Sequence, residues 1–296
     1  MIEGIFVEGL IYSIMALGVF FTFRVLDFPD LTVDGSFPMG AVIMAACLHS
    51  GISPVAGLVY AFGGGVLAGF VTAAIHNKFK VPHLLAGILT MTMLYSVNIR
   101  ILSNRANLPL LRVDTLLTWV HKVSFGIMAP EYATLIFFVL VVFALKFILD
   151  IFFTTDMGLV FGALGDNEQM VRVQGVNPAT LKLVGVGISN GLVALSGAFA
   201  AQYQGFADVN LGQGIVVSGL ASVMLGEFLL KSNRISILTL RVILGAILFK
   251  AIMYLGRYYG YYINMTPNDL KLITGLLILV SLGLANFKRL KAKERS

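Results

Sequence analysis

Apolar residues run through the chain in stretches of about twenty, separated by short segments rich in polar residues, glycine and proline; a helix of that length crosses the hydrocarbon of a bilayer. Nine such stretches predict nine helices: Ile5 to Phe23, Val33 to His49, Pro54 to Ile75, His83 to Ile101, Tyr132 to Ile151, Leu183 to Tyr203, Ile215 to Leu230, Ile235 to Leu255 and Leu270 to Asn286. The first is preceded by Glu3, with no basic residue and no small-residue cleavage site, so it is expected to remain as a helix and not be removed as a signal peptide. The fold class expected is all-α, a polytopic transmembrane helical bundle. Residues 1–286 form one membrane domain and 287–296 a basic tail.

Composition agrees with that pattern. Of 296 residues 58% are apolar or aromatic and 12% charged, with a mean hydropathy of +0.90, too little polar surface for a water-soluble globule. Cys47 is the single cysteine and lies among apolar neighbours, which gives no support to a disulfide or a thiolate metal site. The net charge of +6 does not suggest nucleic acid, because five basic residues crowd the last nine positions. Basic residues beside an apolar helix are held at the cytoplasmic face by topology and anionic lipid. Alternate connections carry Arg24; Lys78 and Lys80; Arg172 and Lys182; Lys231 and Arg234; and the five of the tail, twelve in all, whereas the opposite set carries four, Arg105, Arg112, Lys122 and Arg257. The tail is therefore expected in the cytoplasm and, after nine crossings, the N-terminus outside.

Two connections are too long to be turns. The outer one, Leu102 to Glu131, holds Leu116, Leu117, Trp119 and Val120 beside His121 and Lys122 and predicts a short interfacial helix, an anchor or a docking surface. The inner one, 152–182, is dense in stop and start signals. Asp166 or Asn167 can cap a helix, Glu168 suits its first turn, Gly175 suits the left-handed residue after its end, and Pro178 after Asn177 opens the next helix. About two turns lie between these breaks, too few to be stable without packing on a neighbour, whether this membrane domain or a separate protein. Met170, Val171 and Val173 offer apolar knobs, and Glu168 and Arg172 stand four apart.

The stretch Ala163 to Asn177, with Gly165, Asn167, Glu168, Gly175 and Asn177, followed by Gly191, Leu195, Ser196 and Gly197, resembles the permease subunits of bacterial ABC importers of the branched-chain amino acid and ribose type. Asp30-Leu31-Thr32-Val33-Asp34-Gly35-Ser36-Phe37-Pro38-Met39-Gly40-Ala41 resembles a narrower branch, the tryptophan/tyrosine or uncharacterised ABC permeases. The resemblance implies a bacterial inner-membrane protein that is not itself an enzyme. It implies a coupling helix, with Asp166, Asn167, Glu168, Met170, Val171, Arg172 and Gly175, seated in a groove of a cytoplasmic ATPase subunit. ATP and Mg would bind that partner and no cofactor this chain, which has no glycine loop ending in Gly-Lys-Ser/Thr. A second permease copy, an extracellular solute-binding protein and an aromatic amino acid as solute complete the expectation.

For the translocation path the candidates are Asp34, Gly35, Ser36, Pro38, Asn190 and Asn210. The first four interrupt an apolar span, which lipid tolerates only where protein or a water-filled cavity satisfies the freed backbone. Asp34 reads either as a path residue or as a cap of its own helix. Ala207 to Gly214, before the seventh span, is a second polar, glycine-rich break from the opposite side, and the pair suggests an inverted repeat. Ser189, Asn190, Gly191, Ser196 and Gly197 suit close helix packing, and Glu227 is placed to pair with Lys231. His49, His76, His83 and His121 lie on different segments without metal-ligand spacing. The alternative is an ion-coupled secondary transporter, which calls for a carboxylate at mid-membrane depth; Asp34 is the one candidate.

Overall fold

A computed structural model describes residues 2–260 except 112, 127, 231 and 233, and beyond them 272, 275, 276 and 279. Eleven α-helices are found among the described residues. They are α1 (Ile2–Phe20), α2 (Val33–His49), α3 (Pro54–Phe79), α4 (His83–Ile101), α5 (Leu116–Ser124), α6 (Pro130–Thr154), α7 (Asp156–Asp166), α8 (Glu168–Val173), α9 (Pro178–Gln204), α10 (Ile215–Leu229) and α11 (Ile235–Gly260). Seven helical segments are long and apolar enough to cross a membrane, and α2 is a shorter apolar helix. The first eight expected spans all fall on helices. The ninth, Leu270 to Asn286, and the tail 287–296 lie outside the described residues apart from four helical positions.

One departure from an all-α fold is a small ribbon. The strands β1 (Asn107–Pro109) and β2 (Phe206–Asp208) pair antiparallel with Leu108 opposite Ala207, tying the long loop before α5 to the end of α9. Three-residue strands a hundred positions apart carry no periodic signal, so this pairing was not expected. The short helix expected around Trp119 is α5, which Thr115 and Thr118 close with a reciprocal capping box.

The core is built around α9. Its small residues let neighbours approach to backbone contact: Ser189 Oγ donates to Gly18 O at 2.7 Å and Ser196 Oγ to Ile11 O at 2.7 Å, so α1 runs antiparallel to it. The parallel neighbour is α2. A Cβ on Gly40 would lie 1.8 Å from Ala194 O, and one on Gly197 1.9 Å from Phe37 O. Only glycine permits either approach. Glu227 is held by Arg24 and Arg241, each at 2.9 Å; the expected partner Lys231 lies outside the described residues. The two arginines come from the π-helical turn after α1 and from α11, so their approach is tertiary and not visible in local spacing.

Candidate functional site: the junction of α2 with the limb ahead of α10

After α1 the last turn widens into a π-helical turn, Phe21–Val25, and the chain then runs without regular structure to Thr32. This is the connection between the first and second spans. The expected interruption at Asp34, Gly35, Ser36 and Pro38 is not there: those residues lie within the continuous helix α2. Proline five residues into a helix forfeits one backbone bond near the end, where few are complete anyway. Asp27, with φ at +49°, is where the chain turns.

Asp27 is exposed, whereas Leu26, Phe28, Asp30 and Thr32 are buried in protein, as polar groups at membrane depth must be. Asp30 is 4% exposed; its carboxylate accepts from Thr32 N at 2.8 Å and from Asn190 Nδ2 at 2.6 Å. Asn190 Oδ1 in turn accepts from Ser36 Oγ at 2.6 Å, and Thr32 and Thr72 share a hydroxyl contact of 2.7 Å. Asn190 is the thirteenth of the 27 residues of α9, so α2 begins near the middle of that crossing. With 17 residues, about 25 Å, α2 reaches one face only.

A second limb comes from the other direction. From β2 a 3₁₀ turn, Val209–Gly212, leads to Gly214 at φ +80° and then to α10, which has 15 residues. The Asp34 carboxylate accepts from Gly214 N at 3.0 Å and from Val216 N at 2.8 Å. Asp34 thus caps α10, not its own helix, and its charge sits on the positive end of that helix dipole. Gly212 packs on the Asp34 carbonyl, where a Cβ would come within 1.9 Å. The two segments that the sequence suggested as a pair are thus in contact, although only Ala207 to Gly214 is a break.

Beside this junction lies a cavity of about 320 Å³. Asp34, Gly35 and Pro38 form one wall, Met91, Thr92, Tyr95 and Asn98 of α4 another, and Val209, Gln213 and Gly214 the third. The other path candidates are elsewhere. Ser36 and Asn190 are buried on the α9 side of α2, and Asn210 is exposed and bonded to Asp208 Oδ1 at 3.2 Å. The α4 residues are not singled out by the sequence reading, although Met91, Tyr95 and Asn98 recur at helical spacing.

The inner loop folds nearly as its punctuation dictates. Asn167, not Asp166, caps α8, accepting from Met170 N at 3.0 Å; Gly175 has φ +84°, and Asn177 caps α9 above Pro178. Met170 and Val173 are 54% and 82% exposed. Of the three expected knobs Val171 packs on this chain's own core, 1% exposed, and is thereby withdrawn from the surface offered to an ATPase, because a helix of six residues must bury one side to persist. Glu168 bonds Arg172 at 3.1 Å and Lys182 of α9 at 2.7 Å, and the Lys182 hydrogen bond holds its carboxyl below the usual glutamate range. His76 and His83, read as unrelated in the sequence, stack at 4.2 Å across the α3–α4 turn.

The family model described as branched-chain amino acid transport system, permease component, matches residues 1–282. The chain belongs to this permease family. The permease is 41% identical to the tyrosine transport system permease protein of Clostridioides difficile (strain R20291) over 96% of its own length and 91% of the other's. It is 29% identical to an uncharacterized protein of Rickettsia prowazekii (strain Madrid E) over 93% and 94% of the two chains. A solved structure described as an inward-facing conformation of a metal-chelate type ABC transporter aligns with 97% of this permease and 86% of that chain, at 19% identity and a TM-score of 0.48, too slight to carry an argument. The permease is thus a multi-pass inner-membrane protein and a transport component of the ABC type. That membership displaces the ion-coupled alternative.

Proposed function

We propose that this permease carries an aromatic amino acid, tyrosine or tryptophan, received from an extracellular binding protein, and that it works as a homodimer on two cytoplasmic ATPase subunits. The basic tail and α8 face the cytoplasm and the N-terminus the exterior. ATP and Mg bind the partner; this chain supplies the path and the lever and performs no catalysis. ATP binding draws two α8 helices together and rocks the bundles between outward-open and inward-open states.

The observation that carries the lever is α8 itself: a capped helix of six residues, anchored inward by Val171 and Glu168, presents Met170 and Val173 bare to its surroundings. Two bare apolar side chains on a tethered helix suit a contact with another protein. The name of the Clostridioides relative supports the solute. In proteoliposomes holding permease, ATPase and binding protein, labelled tyrosine should accumulate with ATP inside and not with an imposed Na⁺ or H⁺ gradient. Gradient-driven uptake, or ATP-driven uptake of leucine or ribose alone, would overturn the reading.

A further inference from the structure

Two ionisable side chains within the apolar spans take no part in the junction at Asp34. Glu8 lies in the span Glu3–Val25 and Lys250 in the span Ile235–Tyr259, and the two pair at 3.3 Å. Charges inside a span are costly and by default mark function. The pair is not needed to join α1 to α11. Beside it Gly9 already presses on Ile247, where a Cβ would come within 2.8 Å of the backbone. Both charged residues line a cavity of about 320 Å³ between α1, α11 and the start of α10, separate from the one at Asp34. Their side chains are 44% and 16% exposed, so neither is sealed from a ligand. Among the described residues Glu8 bonds Lys250 alone, through Oε2, which leaves Oε1 as an acceptor. Lys250 Nζ gives one proton to that Oε2 and stands 3.2 Å from the centroid of the Tyr12 ring; with three protons it keeps a donor for the cavity.

A carboxylate and an ammonium side by side, each with a bonding position open to the same space, are complementary to a second such pair set antiparallel. An α-amino acid carries that pair, its ammonium nitrogen and a carboxylate oxygen lying about 3 Å apart by standard bond lengths. Set against Glu8 and Lys250 it completes a square of alternating charge and adds no net charge to a space of low dielectric. An amine or an acid alone would bring one charge without compensation. We propose that this cavity holds the zwitterionic head of the transported solute, with the ammonium on Glu8 and the carboxylate on Lys250. Phe249 and Tyr254 line the same cavity and give the solute's side chain an apolar, aromatic surface. Arg257, exposed and in no ion pair among the described residues, stands seven positions beyond Lys250 on the same face of α11 and draws carboxylates toward the pair. The zwitterion is read from the cavity; that it belongs to an aromatic amino acid rests on the function proposed above.

The test uses the permease with its ATPase partner in nanodiscs, without binding protein, so that the permease alone selects. A Ser218→Cys reporter on the cavity wall, in a Cys47→Ser background, is modified with uncharged methyl methanethiosulfonate. L-tyrosine should protect it. Tyramine, which lacks the carboxylate, and 3-(4-hydroxyphenyl)propionate, which lacks the amine, should not. Glu8→Gln and Lys250→Met should each raise the half-protecting tyrosine concentration at least about tenfold, the loss expected for a hydrogen bond to a charged group. Each variant should also gain an analogue, Glu8→Gln the propionate and Lys250→Met tyramine, which damage to the fold would not do. Tyrosine protection indifferent to both substitutions, or lost in both with neither analogue gained, overturns the site. Protection by L-leucine in place of L-tyrosine, with the same exchange of preference, keeps the site and removes the aromatic solute. ATP-driven tyrosine uptake by the full transporter, with no protection of the reporter by either amino acid, removes the site and leaves the function.

Discussion

At the scale of single residues, the seam between α2 and α9 is set by what is missing. Gly40 faces the carbonyl of Ala194 with no room for a methyl group, whereas Gly63 in α3 has nothing within 4 Å of its Cβ position. Gly40→Ala should therefore lower the stability of the purified permease by about 1–3 kcal/mol through overpacking. Gly63→Ala should raise it by up to about 1 kcal/mol, since alanine is the better helix former. Fluorescence-detected thermal unfolding in detergent compares the two, and coincident midpoints would contradict the close approach. The buried polar side chains obey the same economy of space: Asp30, Asn190 and Ser36 satisfy one another in series, so none demands water in the core.

At the scale of elements, α8 persists because its neighbours hold it. Lys182 depresses the Glu168 carboxyl below its ordinary value, so the tether is present above pH 4.5 and is lost as pH falls through the lowered folded value. A spin label at Val173→Cys, in a Cys47→Ser background, should be restrained at neutral pH and become mobile below pH 4.5, while Glu168→Gln should give a mobile label at every pH. A transition that survives Glu168→Gln would assign the tether elsewhere. Much of this element was legible beforehand, because Asn167, Gly175 and Asn177-Pro178 act through their own backbones and need no distant partner. The breaks were harder. Pro38 and Gly35 look like breakers, yet the irregular stretch is the connection upstream, Asp27 to Thr32, where Asp27, Pro29 and Asp30 carried the stronger local signal. The role of Asp34 was open between path and cap because its two donors belong to residues 214 and 216, a partnership that exists only once both limbs are folded. Asn98 was invisible for the same reason: one polar residue among several in a span has no meaning until its neighbours are known.

For the whole molecule, the orientation inferred from loop charge places Leu111 and Val173 on opposite sides of the bilayer. Both are well exposed, 87% and 82%. In a Cys47→Ser background, an impermeant maleimide applied to intact cells should label Leu111→Cys directly and Val173→Cys only after permeabilisation. The reverse pattern would invert the chain and remove α8 from any cytoplasmic partner. The interlock of Gly40 and Gly197 has its own corollary for motion. Backbones pressed together without intervening side chains cannot slide past one another, so α2 and α9 must travel as one plank. The limb ahead of α10 is pressed on α2 in the same way, through Gly212 against the Asp34 carbonyl, so it rides with that pair, and the three interlocked pieces form one frame.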